Sequence, residues 1–301
     1  MVTAYQDLQS SGLETCPTLT AQVSQPVLQK APVMLPLSRR ELLRRSPIAL
    51  LAAGLWPGTL AAGDKDTSTF SFLVVNDLHS LDKKCVPWFE KVLKQMAGHV
   101  EKPELLFIAG DLAEDGAPDQ LGRVKEIFAG LKLPIYVVPG NHDFTKKEER
   151  KTYDDLFPDR LNYVFDHGGW QFVALDTTEG TKFQNTTIGD ATLKWLDDEL
   201  PKLDKKKPLV VVTHFPLGEG VRMRPKNADE VLKRLKEYNL RAVFSGHYHA
   251  FTEKKTGDAV LTTNKCCAFS KGNHDGTKEK GYFLVKAKEG KLERIFVEVK
   301  S

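Results

Sequence analysis

From Phe70 onward the chain alternates short, unbroken apolar runs with longer stretches in which apolar residues recur every three or four positions. The runs are FSFLVV (70–75), PELLFIAG (103–110), LPIYVVPG (133–140), KPLVVVTH (207–214) and LRAVFSGH (240–247). Runs this short, rich in Val and Ile and bounded by Gly or Pro, predict strands buried on both faces. Amphipathic stretches near 86–97, 119–131, 190–200 and 228–238 predict helices between them. Strand alternating with helix implies a layered α/β domain. Two further pairs of runs read as hairpins: 161–166 with 170–176, and 281–299 folded at Glu289-Gly290. Residues 250–264 also read as stranded.

Before Phe70 the pattern differs. Residues 1–33 are rich in Gln, Ser, Thr and Pro without periodicity, a composition that predicts disorder. Leu35 to Asp64 then holds a basic segment, an apolar run and a small-residue end. The apolar run, 47–62, is short for a membrane span and fits a secretory signal cleaved near Ala61 or Ala62. Arg39-Arg40 resembles the twin-arginine export signal, which implies that machinery as a partner, a periplasmic location and no stable membrane span after cleavage. A basic amphipathic segment or a retained membrane anchor is the other reading of this segment. Met34, five residues before the arginine pair, is the expected start of translation. The chain thus divides into a leader with signal, 1–62, and one folded domain, 63–301.

Charge changes the picture little. The chain carries 43 Lys/Arg and 40 Asp/Glu, of which five and three fall in residues 1–62, so the remainder is close to neutral at +1. Global charge therefore gives no reason to expect a nucleic-acid partner. Cys85, Cys266 and Cys267 show no zinc-type spacing and leave disulfide pairing open.

The candidate chemistry sits where the strand runs stop. Asp77 and His79 follow the first, Asp111 the second, Asn141 and His142 the third, and His214 ends the fourth. His247 and His249 close the fifth. Ligands of α/β sheets bind beyond the carboxyl ends of strands, so separate loops can build one site there. Asp77 and His79 flank Leu78, and His247 and His249 flank Tyr248, a spacing that lets each pair project the same way. Imidazole, carboxylate and amide donors without thiolate suit Zn, Mn, Fe or Ni rather than Ca. The donors are too many for one ion, and two ions sharing a carboxylate is the economical reading.

The ordered pieces NDLH, GDLAEDG, PGNHD, THFPL and SGHYH resemble the calcineurin-like metallophosphoesterase family over about Phe70 to Phe251. That resemblance implies a layered α/β/β/α sandwich, here with a C-terminal β-hairpin. It implies two divalent or mixed-valence transition metal ions. Asp77, His79 and His249 would hold one, Asn141, His214 and His247 the other, and Asp111 would bridge them. A hydroxide between the ions would attack a small phosphoester substrate. His142 would act at the reacting phosphate or leaving oxygen, and Asp143 would orient and charge its imidazole. Asp115 stands where protein Ser/Thr phosphatases carry an Arg, and Glu114 where the purple enzymes carry a metal-binding Tyr. The remaining resemblance is to the class III cyclic-nucleotide phosphodiesterase branch, read broadly, with a phosphomonoesterase on the same site as the alternative. A nuclease or a non-catalytic binding module are the other classes; near-neutral charge disfavours the first and the complete donor set the second.

The tetrapeptide Gly-Asn-His-Asp occurs twice, at 140–143 and 272–275. The second copy follows no comparable apolar run, so Asn273, His274 and Asp275 read as a turn before the last hairpin, with His274 lining the substrate pocket as the sharper alternative. His99 and His167 read as structural, and Lys205 to Lys207 as a solvated turn. Arg222 and Arg224 read as a solvated loop, with contact to a second phosphate or a nucleotide as the alternative.

Overall fold

The apolar runs pair into two sheets in this computed structural model, which describes residues 68–147 and 149–300. The first sheet is centred on β1 (Phe70–Val75), which pairs in parallel with β2 (Leu106–Ala109). Strand β3 (Ile135–Val138) follows in parallel on β2. The second sheet begins with the antiparallel hairpin of β4 (Tyr163–His167) and β5 (Trp170–Leu175). It continues in parallel with β6 (Leu209–Thr213) and β7 (Leu240–Ser245). The hairpin of β8 (Thr252–Thr256) and β9 (Ala259–Thr263) completes it, with β9 parallel to β7. The C-terminal hairpin, β10 (Gly281–Lys288) and β11 (Lys291–Glu298), joins the first sheet, β10 lying antiparallel to β1.

Period-two alternation within each buried run sorts its side chains between layers. Phe72 and Val74 of β1, Phe107 of β2, Phe172 of β5, Val210 and Val212 of β6 and Phe244 of β7 fill the space between the sheets. The Phe72 ring meets Phe172 edge-on at 5.6 Å and Phe244 at 6.0 Å, the T-shaped packing that aromatic quadrupoles favour. The opposite faces take helices. Leu73, Val75, Leu106 and Ile108 pack under α1 (Val86–Ala97), α2 (Pro118–Ala129) and α3 (Lys151–Leu156). Val173, Val211 and Val243 pack under α4 (Asp190–Glu199) and α5 (Ala228–Leu235). The order is therefore α/β/β/α, as expected, and the strands are unbroken apolar runs because both faces are covered.

The differences from expectation are local. The strands β2 and β3 start later than their apolar runs, and α3 was not expected, since in six residues only Tyr153 is fully buried and no periodicity can show. Cys85, Cys266 and Cys267 are buried and free of disulfides. Expectations for the leader, export signal and translation start fall outside the described residues. Among the described residues no helix is long and apolar enough to cross a membrane.

One consequence of topology positions the chemistry. Strands β1, β2, β3, β6 and β7 deliver their carboxyl ends to one end of the sandwich. Strand β9, parallel to β7, finishes at that end, and β10, antiparallel to β1, starts there. The connection 264–280 must therefore pass over the same end.

Candidate metal centre

The chain leaves its strands here in unusual backbone conformations. Asp77 (φ 53°), His79 (45°), Asp111 (52°), His247 (63°) and His249 (45°) all lie in the left-handed region. Non-glycine residues avoid it at a cost of about 1–3 kcal/mol each unless the surroundings dictate it. Here they do. The Asp77, His79 and Ser80 N–H groups donate to the carbonyls of Gly110, Asp111 and Leu112 at 3.0–3.1 Å, zipping two loops together. The His247 N–H donates to Asp77 Oδ2 at 3.0 Å, tying in a third. The turn glycines supply space: a Cβ on Gly110 would stand 2.3 Å from the His214 ring, and one on Gly140 would stand 2.1 Å from Asp111 Oδ1.

Two fully buried donor groups result, and a third, His79 with Glu114 and His142, is only partly buried. The ligand atoms of Asp77, His79, Asp111 and His249 lie within 4.8 Å of one another, and so do those of Asp111, His214 and His247; both groups are buried. Asp111 belongs to each, its Oδ2 standing 3.5 Å from His79 Nε2 and its Oδ1 3.3 Å from His214 Nε2. Asn141 Oδ1 adds an amide oxygen 3.4 Å from His214 Nε2. All seven residues expected to bind metal converge.

The imidazoles are held in a way that fits cations. His79 Nδ1 is 2.9 Å from Glu114 Oε2, and His249 Nδ1 is 3.2 Å from the Gly272 carbonyl. His214 Nδ1 and His247 Nε2 meet the carbonyls of Ala109 at 2.9 Å and Phe183 at 2.6 Å. Each acceptor fixes its ring nitrogen as the N–H, which is how metal-binding histidines are oriented. The other nitrogens then face each other as lone pairs, His79 Nε2 to His249 Nε2 and His247 Nδ1 to His214 Nε2, both at 3.2 Å. Such pairs repel unless positive charge lies between them.

The carboxylates draw that charge in. Burial opposes charge on His249 and His214, but Asp77 lifts the first to about 11 and Asp111 lifts the second to about 9. Their partners go the other way: burial lowers His79, and burial with the His214 charge lowers His247 to about 3. Burial also pushes Asp77 and Asp111 up, yet the histidines win, leaving Asp77 at about 2 and Asp111 well below the usual range. A proton shared within each facing pair relieves that repulsion, and so does a divalent cation accepted by both nitrogens.

His142 lies beside this cluster, its ring 4.7 Å from that of His79, and is partly open to the cleft. Its Nδ1–H donates to the Glu114 carbonyl at 2.7 Å, leaving Nε2 for the cleft. The expectation that Asp143 orients this ring is corrected. Asp143 is buried, and its two oxygens accept from the N–H groups of Ala113 and Gly140, each at 2.8 Å. Burial, then the nearby Asp111 charge, raises its carboxyl to about 7. It fastens the GD loop to the GNHD turn.

Sequence reading missed Glu114 as a working residue. Its carboxylate holds His79, stands 4.0 Å from His142 Nδ1 and pairs with Lys271 at 2.6 Å. Burial pushes it up, but His79 and Lys271 outweigh that and hold it at about 2. Its place three residues after Asp111 was the available signal. Asn76 is a second addition, donating to Asp77 Oδ2 at 2.6 Å.

The cluster floors a cleft of about 300 Å³, walled by Phe183, Met223, Lys271 and His274. His274 therefore does line the pocket, while Asn273 and Asp275 make turn bonds within their own loop. Arg224 is spent on the Leu217 carbonyl and Asp229, whereas Arg222 is exposed and rests over the Tyr248 ring. His99 bonds Tyr282, and His167 bonds Glu104, both structural as expected.

A family model described as calcineurin-like phosphoesterase matches residues 70–251, the span from β1 to just beyond His249. The chain belongs to the calcineurin-like phosphoesterase family. It is 29% identical over 195 residues to a probable cyclic nucleotide phosphodiesterase of Synechococcus sp., covering 61% of this chain and 75% of that one. It is also 29% identical to a probable glycerophosphodiester phosphodiesterase of Arcobacter nitrofigilis, covering 54% of this chain but 62%, less than two thirds, of the relative. A dimetal phosphatase from Danio rerio shares the fold, with a TM-score of 0.56 and 16% identity over 77% of this chain and 99% of that one. For this calcineurin-like phosphoesterase, the donor set and the family agree on a divalent-metal site.

Proposed function

We propose that the protein is a phosphodiesterase with two divalent transition-metal ions, one held by Asp77, His79 and His249, the other by Asn141, His214 and His247. The observation that carries the two-ion reading is Asp111, whose two oxygens face the two donor groups separately. Bound there, the ions supply Lewis acidity toward phosphoryl oxygens and a water acidified enough to attack near neutral pH. The chain's own residues do the rest. Glu114 and the carbonyls of Ala109, Phe183 and Gly272 orient the four imidazoles. His142, with Nδ1–H on the Glu114 carbonyl, would act as the imidazolium, giving its Nε2 proton to the leaving oxygen, and the proton released by the attacking water would restore it. The water oxygen joins phosphorus, the P–O bond to the leaving alcohol breaks, and that alcohol takes the proton.

Preference for diesters is supported by the relatives, which are named for cyclic-nucleotide and glycerophosphodiester substrates. The cleft supports it too, since it extends past the donor groups to His274 and Phe183. The test compares hydrolysis of bis-p-nitrophenyl phosphate and p-nitrophenyl phosphate by the Mn-loaded protein. Faster cleavage of the diester is expected; cleavage of the monoester alone, or of neither, overturns the reading.

We also propose export to the periplasm by the twin-arginine route, supported by Arg39-Arg40 and the apolar run 47–62. Periplasmic protein whose amino terminus lies near Gly63 is the expected result, and retention of the arginine pair in the mature protein would sink it.

A further inference from the structure

The second Gly-Asn-His-Asp copy reaches the cleft through its loop's main chain. The His274 N–H donates to the His249 carbonyl at 3.1 Å, and His249 returns a bond to Gly272. Asn273 secures the loop, accepting from the Cys266 N–H at 2.9 Å and donating to the carbonyls of Thr277 and Glu279. The His274 ring takes no part in this: among the described residues its nitrogens make no hydrogen bond. Four imidazoles stand in a row along the cleft, with neighbouring centroids 4.7 Å (His142–His79), 5.1 Å (His79–His249) and 5.0 Å (His249–His274) apart. His142 is at one end and His274 at the other. Beside His274 the Tyr248 ring lies parallel, within 4° at 6.2 Å, and the Arg222 guanidinium rests over Tyr248 at 5.7 Å. Phe183, half-exposed at 54%, and Met223 give the same cleft an apolar wall.

We propose that His274, backed by Tyr248 and Arg222, is the subsite for the ester arm that stays on phosphorus, and that this arm is a planar group bearing hydrogen-bond acceptors. The inference rests on the phosphodiesterase reading. With the leaving oxygen at His142 and the attacking water opposite it, the retained arm of a diester leaves phosphorus across that axis, on the side of the cleft where His249 is followed by His274. A monoester has no such arm. The apolar wall favours a flat ring, and the His274 imidazole favours an acceptor on it, while Arg222 acts from behind Tyr248 and does not line the cleft.

The test uses three esters with one leaving group and different retained arms: bis-p-nitrophenyl, ethyl p-nitrophenyl and p-nitrophenyl phosphate. His274→Ala is expected to raise KM for the first by about tenfold, one stacked and hydrogen-bonded contact, and for the second by about twofold. The change for the monoester should be smaller still, and His274→Gln should recover part of the loss. Arg222→Ala should follow the same ester order with a smaller effect. Metal content and Tm are measured in parallel. An equal effect on all three esters, no effect on any, or loss of metal in His274→Ala overturns the subsite while leaving the phosphodiesterase reading intact. Failure of the wild-type protein to cut either diester overturns both.

Discussion

The same four residues, Gly-Asn-His-Asp, do different work at 140–143 and 272–275, and the surroundings explain why. The first copy follows β3 directly and turns as one short helical turn, Asn141–Asp143, that buries Asn141 and Asp143 against the donor groups. The second lies in the 264–280 connection, where Asn273 and Asp275 close their own turn and His274 stays exposed. One copy builds the floor of the cleft and the other its far wall. Residue types limit what a motif can do, and the backbone that presents them decides which of those things it does.

The histidines should separate the copies most sharply. His142→Ala removes the group that serves the leaving oxygen of every ester. It should lower kcat by about 10²- to 10⁴-fold, the usual range for a positioned proton donor, on diester and monoester alike. Metal content should stay at the wild-type level, because Nδ1 faces the Glu114 carbonyl and the ring is not among the proposed ligands. A loss of metal in this variant would move His142 into the donor set and erase the distinction from His274.

The asparagines come next. Asn141→Ala should weaken metal binding at least as much as loss of a supporting residue does, about ten- to a hundredfold, read by metal titration. Asn273→Ala should leave that titration alone and lower stability instead. It strips a partner from the Cys266 N–H and two carbonyls, about 1–2 kcal/mol for a half-buried group. At this chain length that is a Tm shift of several degrees. If Asn273→Ala releases metal with Tm unchanged, the second copy belongs to the centre and not to its wall.

Much of this was legible before the fold was known, because strands covered on both faces write themselves as unbroken apolar runs, and the seven proposed ligands each follow one. What stayed hidden was geometric. The residues of β1 and β6 look alike in sequence although they belong to opposing sheets, since both layers bury the same residue types. The arrival of His274 depends on β9 being parallel to β7 and β10 antiparallel to β1, pairings between strands with no shared signal. Glu114 was noticed only for not being tyrosine, though its carboxylate faces His79. Asp143 misled for a simpler reason. Adjacency to His142 suggested that the two side chains meet, but in a tight turn neighbouring side chains diverge.

That divergence gives the smallest of the contrasts, in the aspartates. Asp143→Ala leaves the Ala113 and Gly140 N–H groups buried without partners, each costing about 1–3 kcal/mol, so a marked fall in Tm is expected. Asp143→Asn keeps one carbonyl acceptor and should fall less. Were Asp143 acting through His142, both variants would instead lose kcat with Tm nearly intact, as tautomer-setting partners do. Asp275 offers the comparison. It is exposed, and among the described residues its side chain accepts only from the N–H and hydroxyl of Thr277, at 3.0 and 2.6 Å. Water replaces both bonds in Asp275→Ala, so stability should move by no more than about 0.5 kcal/mol. A larger fall would mean that the turn at 275–277 sets how the loop seats His274, and the wall of the cleft would then depend on its own aspartate much as the floor does.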